Sequence, residues 1–188
     1  MAGEVNDMKK SPLKSKTPLK AKTPLKAKAK PKKRKPLEEK PLTELRKIAD
    51  TWFSKYVRIR DTDQTESGFI GKCITCSKTG IVAYEDEGKI KFNRGWDNGH
   101  FIGRDNWVTR YEEENNNLQC SFRCNNMRSG EYVKYKAALR LKYGDDVPEK
   151  LEQMAEEQPS HTYKHSREEL LQIIEDSKKT ISWYEQTS

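Results

Sequence analysis

The sequence predicts an α+β fold with little sheet, and three patterns carry that prediction. Apolar residues recur at helical spacing near both ends of the body, and short runs suited to strands lie between them. All four cysteines fall in two tight pairs, Cys73-x2-Cys76 and Cys120-x3-Cys124, with 43 residues between the pairs.

Two regions differ sharply in charge. Residues 1–41 hold thirteen lysines and Arg34 against four acidic residues, a net of +10. The whole 188-residue chain is +8, so residues 42–188 carry −2. Within the first region Ser11-Pro12-Leu13-Lys14, Thr17-Pro18-Leu19-Lys20 and Thr23-Pro24-Leu25-Lys26 repeat every six residues. Proline at that frequency forbids a helix and like charges repel, so residues 1–41 read as a disordered basic arm. Lys32, Lys33 and Arg34 are its densest cluster. Such an arm releases counterions from nucleic acid and gives affinity without sequence choice; a solubilising tail is the plainer alternative. No apolar run is long enough to span a membrane, and no apolar stretch follows the N-terminal lysines as a secretory signal requires. A cytoplasmic setting is expected, where paired cysteines are metal ligands rather than disulfides.

Residues 42–188 form the folded domain. Leu42, Leu45, Ile48, Trp52, Phe53 and Tyr56 mark a helix from Leu42 to Tyr56, with Thr43 as N-cap. Residues 61–71 read as a polar loop. Ile81–Tyr84 and Lys89–Phe92 read as strands around a turn at Asp86-Glu87-Gly88. Trp96 to Ile102 is the middle of a hairpin or loop. A helix starting at Asn125 or Glu131 ends at Tyr143, with Gly144 as terminator. A short helix covers residues 148–156. Ser166-Arg-Glu-Glu169 is a capping box that opens the last helix, with Leu170, Ile173, Ile174, Ile181 and Tyr184 as its buried stripe.

Both cysteine spacings let two thiolates grip one tetrahedral ion, so Cys73, Cys76, Cys120 and Cys124 read as a structural zinc site. A body with few apolar residues gains much from such a cross-link. Between the pairs lies Trp96-Asp97-Asn98-Gly99-His100-Phe101. An imidazole titrating near 6.5 suits a general base at neutral pH. Asp97 and Asn125 are oxygen ligands for a divalent ion, and the zinc returns the second cysteine pair toward His100. Gly99 is expected to permit an unusual turn before the histidine. Arg104 and Arg128 flank this region as phosphate contacts or as plain surface charge. Trp107 and Phe101 stack on an opened base or belong to the core. His161 and His165 read as surface or DNA-facing residues just before a helix.

Asp97-Asn98-Gly99-His100 resembles the Asp-x-Gly-His motif of ββα-metal (His-Me finger) nucleases. The knuckles, with an asparagine directly after the last cysteine, resemble the HNH fold of endonuclease VII. Residues 96–135 are similar to the lambda-type phage NinG (Rap) recombination family, through Trp-Asp-x-Gly-His-aromatic, Asn-x4-Cys, Cys-Asn, Ser-Gly and a downstream tyrosine. The resemblance implies a zinc-stabilised ββα-metal (HNH-like) core in residues 73–130, with helices flanking it and filling 131–188. It implies a metal-dependent endonuclease that cuts branched recombination intermediates such as Holliday junctions. His100 would be the general base, and Asn125 would bind catalytic Mg²⁺ or Mn²⁺. Asp97 would ligate that ion or hold one of its waters. Asn115 resembles the middle asparagine of HNH sequences, which pins the hairpin loop through backbone hydrogen bonds. Two features depart from the pattern. Glycine precedes His100 where many HNH enzymes carry a ligand, and the second cysteine spacing is one residue longer, which makes Asn126 the alternative to Asn125.

Branched DNA is the expected partner, with phage or host recombination proteins beside it and no membrane. A phage-encoded chain would work in the host-cell cytoplasm. A homodimer matches the two-fold symmetry of a four-way junction. The competing readings are a non-catalytic zinc-binding DNA-binding module in phage recombination, and an interaction protein whose last helix recruits a partner.

Overall fold

The structure is a computed structural model and describes residues 35–158 and 163–187. Lys32, Lys33, Arg34 and His161 lie outside the described residues, as does most of the basic arm. After a 3-10 turn at Leu37–Glu39 the chain forms α1 (Leu42–Arg60), β1 (Thr62–Thr65), β2 (Gly68–Lys72), β3 (Thr79–Asp86), β4 (Lys89–Phe92), β5 (Trp96–His100) and β6 (Asn116–Cys120). A π-type turn at Ser121–Asn126 leads to α2 (Tyr132–Tyr143), α3 (Val147–Glu157) and α4 (Arg167–Thr187). No described helix is long and apolar enough to cross a membrane.

Mixed α and β structure is present, with more sheet than the sequence suggested. β1 to β4 form an antiparallel meander in that order, and β5 pairs antiparallel with β6. Residues 61–71 are a hairpin rather than a loop, with Thr62 opposite Gly71 and Thr65 opposite Gly68. β1 is an edge strand of polar residues exposed over most of its length, so no apolar alternation marked it. The β3–β4 turn follows the expected geometry. Glu87 and Gly88 sit at φ 52° and 71°, both left-handed, which matches the twist of the strands they join.

Helix boundaries shift in two places. α1 starts after Pro41, whose backbone takes the N-cap position, so Thr43 lies inside the helix and caps nothing. It also continues one turn past Tyr56, where Asp61 ends it. α2 begins at Tyr132, and Asn125 belongs to the preceding π-type turn.

The apolar residues are divided among four small clusters. Leu45 and Ala49 of α1 meet Leu170 and Ile174 of α4, while Ile59 meets Ile181, Phe69, Ala83 and Ile90. The two helices therefore run side by side in the same direction. Phe101, Tyr135, Leu139, Val147 and Leu151 join α2 to α3. Cys73, Val82, Trp96, Leu118, Cys120 and Cys124 form the fourth cluster, where the two sheets meet.

Ion pairs and buried amides hold these clusters together. Asp61 accepts from Arg60 at 3.0 and 3.1 Å, from Lys142 at 2.9 Å and from the Leu118 amide at 2.9 Å. Burial alone disfavours its charge, but Arg60 and Lys142 outweigh that and hold the carboxyl below its ordinary range. This cluster locks β6 against α1 and α2.

The capping box at α4 is reciprocal. The Ser166 amide donates to Glu169 at 2.7 Å, and the Glu169 amide donates to the Ser166 hydroxyl at 3.2 Å. Ser166→Ala is expected to lower the unfolding free energy by about 1 kcal/mol in a urea titration. No change would mean that α4 is held by packing on α1 alone.

Candidate functional site

Four thiols meet where the meander, the β5–β6 ribbon and the π-type turn converge. Their Sγ atoms all lie within 4.8 Å of one another. Tetrahedral zinc with Zn–S near 2.3 Å places its sulfurs about 3.8 Å apart, and Cys76 Sγ stands 3.8 Å from Cys120 Sγ. All four cysteines are free, and a disulfide would need about 2.05 Å. Burial works against a Cys73 thiolate. Hydrogen bonds from the Thr75 hydroxyl and from backbone amides outweigh it, bringing the thiol down to about 6. Burial pushes Cys124 up to about 12. Four sulfurs gathered at this point are a donor set suited to a structural metal such as zinc, whose binding would displace the thiol protons.

Register then places the second group of residues. β5 pairs with β6 so that Trp96 faces Cys120 and His100 faces Asn116. The chain leaves Cys120 in a turn that returns Asn125 to β5, where its Nδ2 donates to Asp97 Oδ2 at 3.0 Å. Asp97, His100 and Asn125 line one cavity of about 270 Å³, together with Asn98, Arg104, Asp50, Arg110 and Tyr111. Asn126 is exposed and outside that lining. So is Arg128, which pairs with Glu131.

His100 is held well away from its charged form. Burial, then the Arg110 and Arg104 guanidiniums, bring it down to about 4, and Asp50 only partly offsets them. The ring is therefore neutral at physiological pH. Gly99 makes no unusual turn. It is a strand residue opposite Asn117, and it is glycine because an added Cβ would stand 2.3 Å from Gln119 Oε1.

Amides build the scaffold beneath the cavity. Asn115 is fully buried. Its Oδ1 accepts from the Ile102 amide at 2.7 Å, and its Nδ2 donates to the carbonyls of Ile102 and Thr109. Asn116 donates to the carbonyls of Arg110 and Glu112, so its Oδ1 must accept from Asn98 Nδ2, which it does at 2.9 Å. That fixes the orientation of the Asn98 amide and leaves its Oδ1 buried with no hydrogen-bond partner among the described residues. Asn117 accepts from Lys142 and Tyr143.

The sequence reading passed over Asp50, Arg110 and Tyr111. Asp50 takes Arg110 through two bonds, at 2.8 and 2.7 Å, and the Tyr111 hydroxyl at 2.8 Å. This trio forms the wall opposite β5. No spacing links Asp50 on α1 to residues sixty positions away, although Asn115-Asn116-Asn117, two residues short of a metal-type cysteine, is a visible signal of buried amides. Phe101 belongs to the core and stacks on Tyr132. Trp107 is half-buried under Arg46 and beside His165, whose Nε2 lies 2.8 Å from the Trp107 carbonyl. His165 is thus a packing residue.

The family model described as Bacteriophage Lambda NinG protein matches residues 2–186. No curated protein and no solved structure matches the chain.

Structural zinc contributes roughly 10–16 kcal/mol of apparent binding energy in small peptides, as much as the whole stability of a typical domain. Native mass spectrometry is therefore expected to find one zinc ion per chain, lost in Cys76→Ser together with cooperative unfolding. Zinc retained without Cys76 would place the ion elsewhere.

Proposed function

The chain belongs to the NinG family, and we propose that it is a metal-dependent, structure-specific endonuclease that cuts branched DNA such as Holliday junctions during phage recombination. The observation that carries this reading is the convergence of Asp97, His100 and Asn125 on one cavity, with a neutral imidazole at its edge. The order β5, β6, turn, α2, with cysteines at the turn, supports an HNH-like ββα-metal core.

Phosphodiester hydrolysis needs a base for water and positive charge for the phosphate. His100, unprotonated at pH 7, takes the proton from the attacking water. Arg104 meets a non-bridging phosphate oxygen. The Asp97–Asn125 hydrogen bond uses one carboxylate oxygen and the amide nitrogen, leaving the second carboxylate oxygen and the amide oxygen as hard donors. Asn98 Oδ1, buried without a partner on the same cavity, is a third. An oxygen set of this kind fits Mg²⁺ or Mn²⁺, which when bound supplies positive charge to the phosphate and the departing oxygen. The thiolate site is separate and structural. A homodimer would offer two such cavities to the paired strands of a junction.

Four-way junction cleavage with Mg²⁺ is expected, with His100→Ala reducing the rate by about 10²–10⁴ while zinc and binding persist. Equal cleavage by both proteins would remove His100 from the chemistry, and cleavage by neither would leave the non-catalytic DNA-binding reading in place. The acidic limb of kcat/KM should lie below the 6.5 of free imidazole. Arg104→Gln removes a cation that opposes imidazolium, so that limb moves to higher pH. An unmoved limb would mean another group sets it. Deleting residues 1–41 should weaken binding to all DNA shapes alike and flatten its salt dependence. A loss confined to junctions would contradict a polyelectrolyte arm.

A further inference from the structure

The turn that delivers Asn125 to the cavity also carries the most exposed apolar side chains near it. Phe122 is 75% and Met127 67% exposed. They are neighbours, since the Met127 amide donates to the Phe122 carbonyl at 3.0 Å and closes the turn. Cys124 is buried between them, and Asn125 reaches Asp97 from the same turn. A hydrophobic residue this exposed on a metal-anchored turn is held out in water by the backbone, not left there by a loose chain.

Arg123 is exposed on the turn and Arg94, whose carbonyl accepts from Ser121, is exposed beside it, while Arg128 is held by Glu131. Area and charge together decide what this face meets. Two side chains of this size present on the order of 300 Å², well short of the roughly 800 Å² per partner of a stable protein interface. A small apolar tip on a turn that also exposes Arg123, next to Arg94, fits a nucleic acid, whose phosphates take the arginines while its opened bases take the tip.

We propose that Phe122 and Met127 form a wedge that enters an unstacked base step at the branch point of the DNA, next to the phosphate held at Asp97, His100 and Asn125. The inference rests on the endonuclease reading for what fills the cavity, and it names the substrate feature that this site selects. A continuous duplex would have to unstack to receive the wedge, whereas a branch offers an opened step at little cost, so the wedge yields a preference for structure over sequence.

The test is fluorescence of 2-aminopurine placed at the branch of a four-way junction, read with the full zinc-loaded chain and no added Mg²⁺ or Mn²⁺, so that no cleavage is required. Zinc content is checked in every sample. Wild-type protein is expected to raise the signal several-fold. Phe122→Ala/Met127→Ala should lose more than half of that rise and about tenfold in junction affinity, while affinity for linear duplex stays within about twofold. Phe122→Trp, still a stacking residue, should retain the rise. The proposal is overturned if the double variant keeps the full signal. It is also overturned if zinc-loaded variant loses duplex and junction binding equally, or if only self-association of the free chain changes, which would make the face a protein contact. A chain that shows the signal but never cleaves with Mg²⁺ would refute the endonuclease reading and leave the wedge standing.

Discussion

Convergence of four sulfurs is the constraint on which the rest of this molecule depends. Cys73 and Cys76 lie in the turn that follows the second strand of the meander, Cys120 ends the ribbon, and Cys124 lies in the turn after it. Without a link at that point the meander and ribbon are joined by the small Val82, Trp96 and Leu118 cluster and by hydrogen bonds such as that from the Ile74 amide to the Leu118 carbonyl. A chain that is 33% hydrophobic and 35% charged cannot gather one large core, and its apolar residues are parcelled into four. A metal cross-link there would supply at one point what apolar burial would otherwise supply across a sheet. It would also set the geometry of the neighbouring cavity, because Asn125 directly follows Cys124.

The remaining rigidity comes from buried polar groups, which are costly unless every partner is present. Asn115, Asn116 and Asn117 are all fully buried, and each ties the loop or helix next to it to β6. Asp61 and Arg60 do the same from the end of α1. Asn98 Oδ1 and Gln119 Oε1 are the two side-chain atoms among the described residues that stay buried without a hydrogen bond. Asn98 lines the cavity and Gln119 packs against Gly99 in β5, so the unsatisfied polarity of the fold gathers around the site.

Parts of this arrangement were legible in the chain because local chemistry dictates them. The two cysteine spacings announce a metal, Glu87-Gly88 announces a hairpin, and Ser166 with Glu169 announces a helix start; each rests on residues within a few positions of one another. What escaped was fixed by distant partners. β1 is a polar edge strand and β6 is a fully buried strand of mostly amide side chains, so neither alternates. Thr43 looked like a cap, yet Pro41 with its fixed φ starts α1 two residues earlier. Gly99 reads locally as a turn former, and its reason is the Gln119 side chain laid across it. Asp50, Arg110 and Tyr111 meet only through the tertiary fold.

The central claim is that the thiolate-bound ion brings Asp97, Asn125 and His100 to one divalent-cation site. Paramagnetic broadening by Mn²⁺ measures it most directly, read on the His100 ring protons and the Asn125 side-chain amide with and without zinc. Zinc-loaded protein should lose both signals at substoichiometric Mn²⁺, and zinc-stripped protein should keep them. Broadening that ignores zinc, or that spares His100 and Asn125 while zinc is bound, would contradict the account.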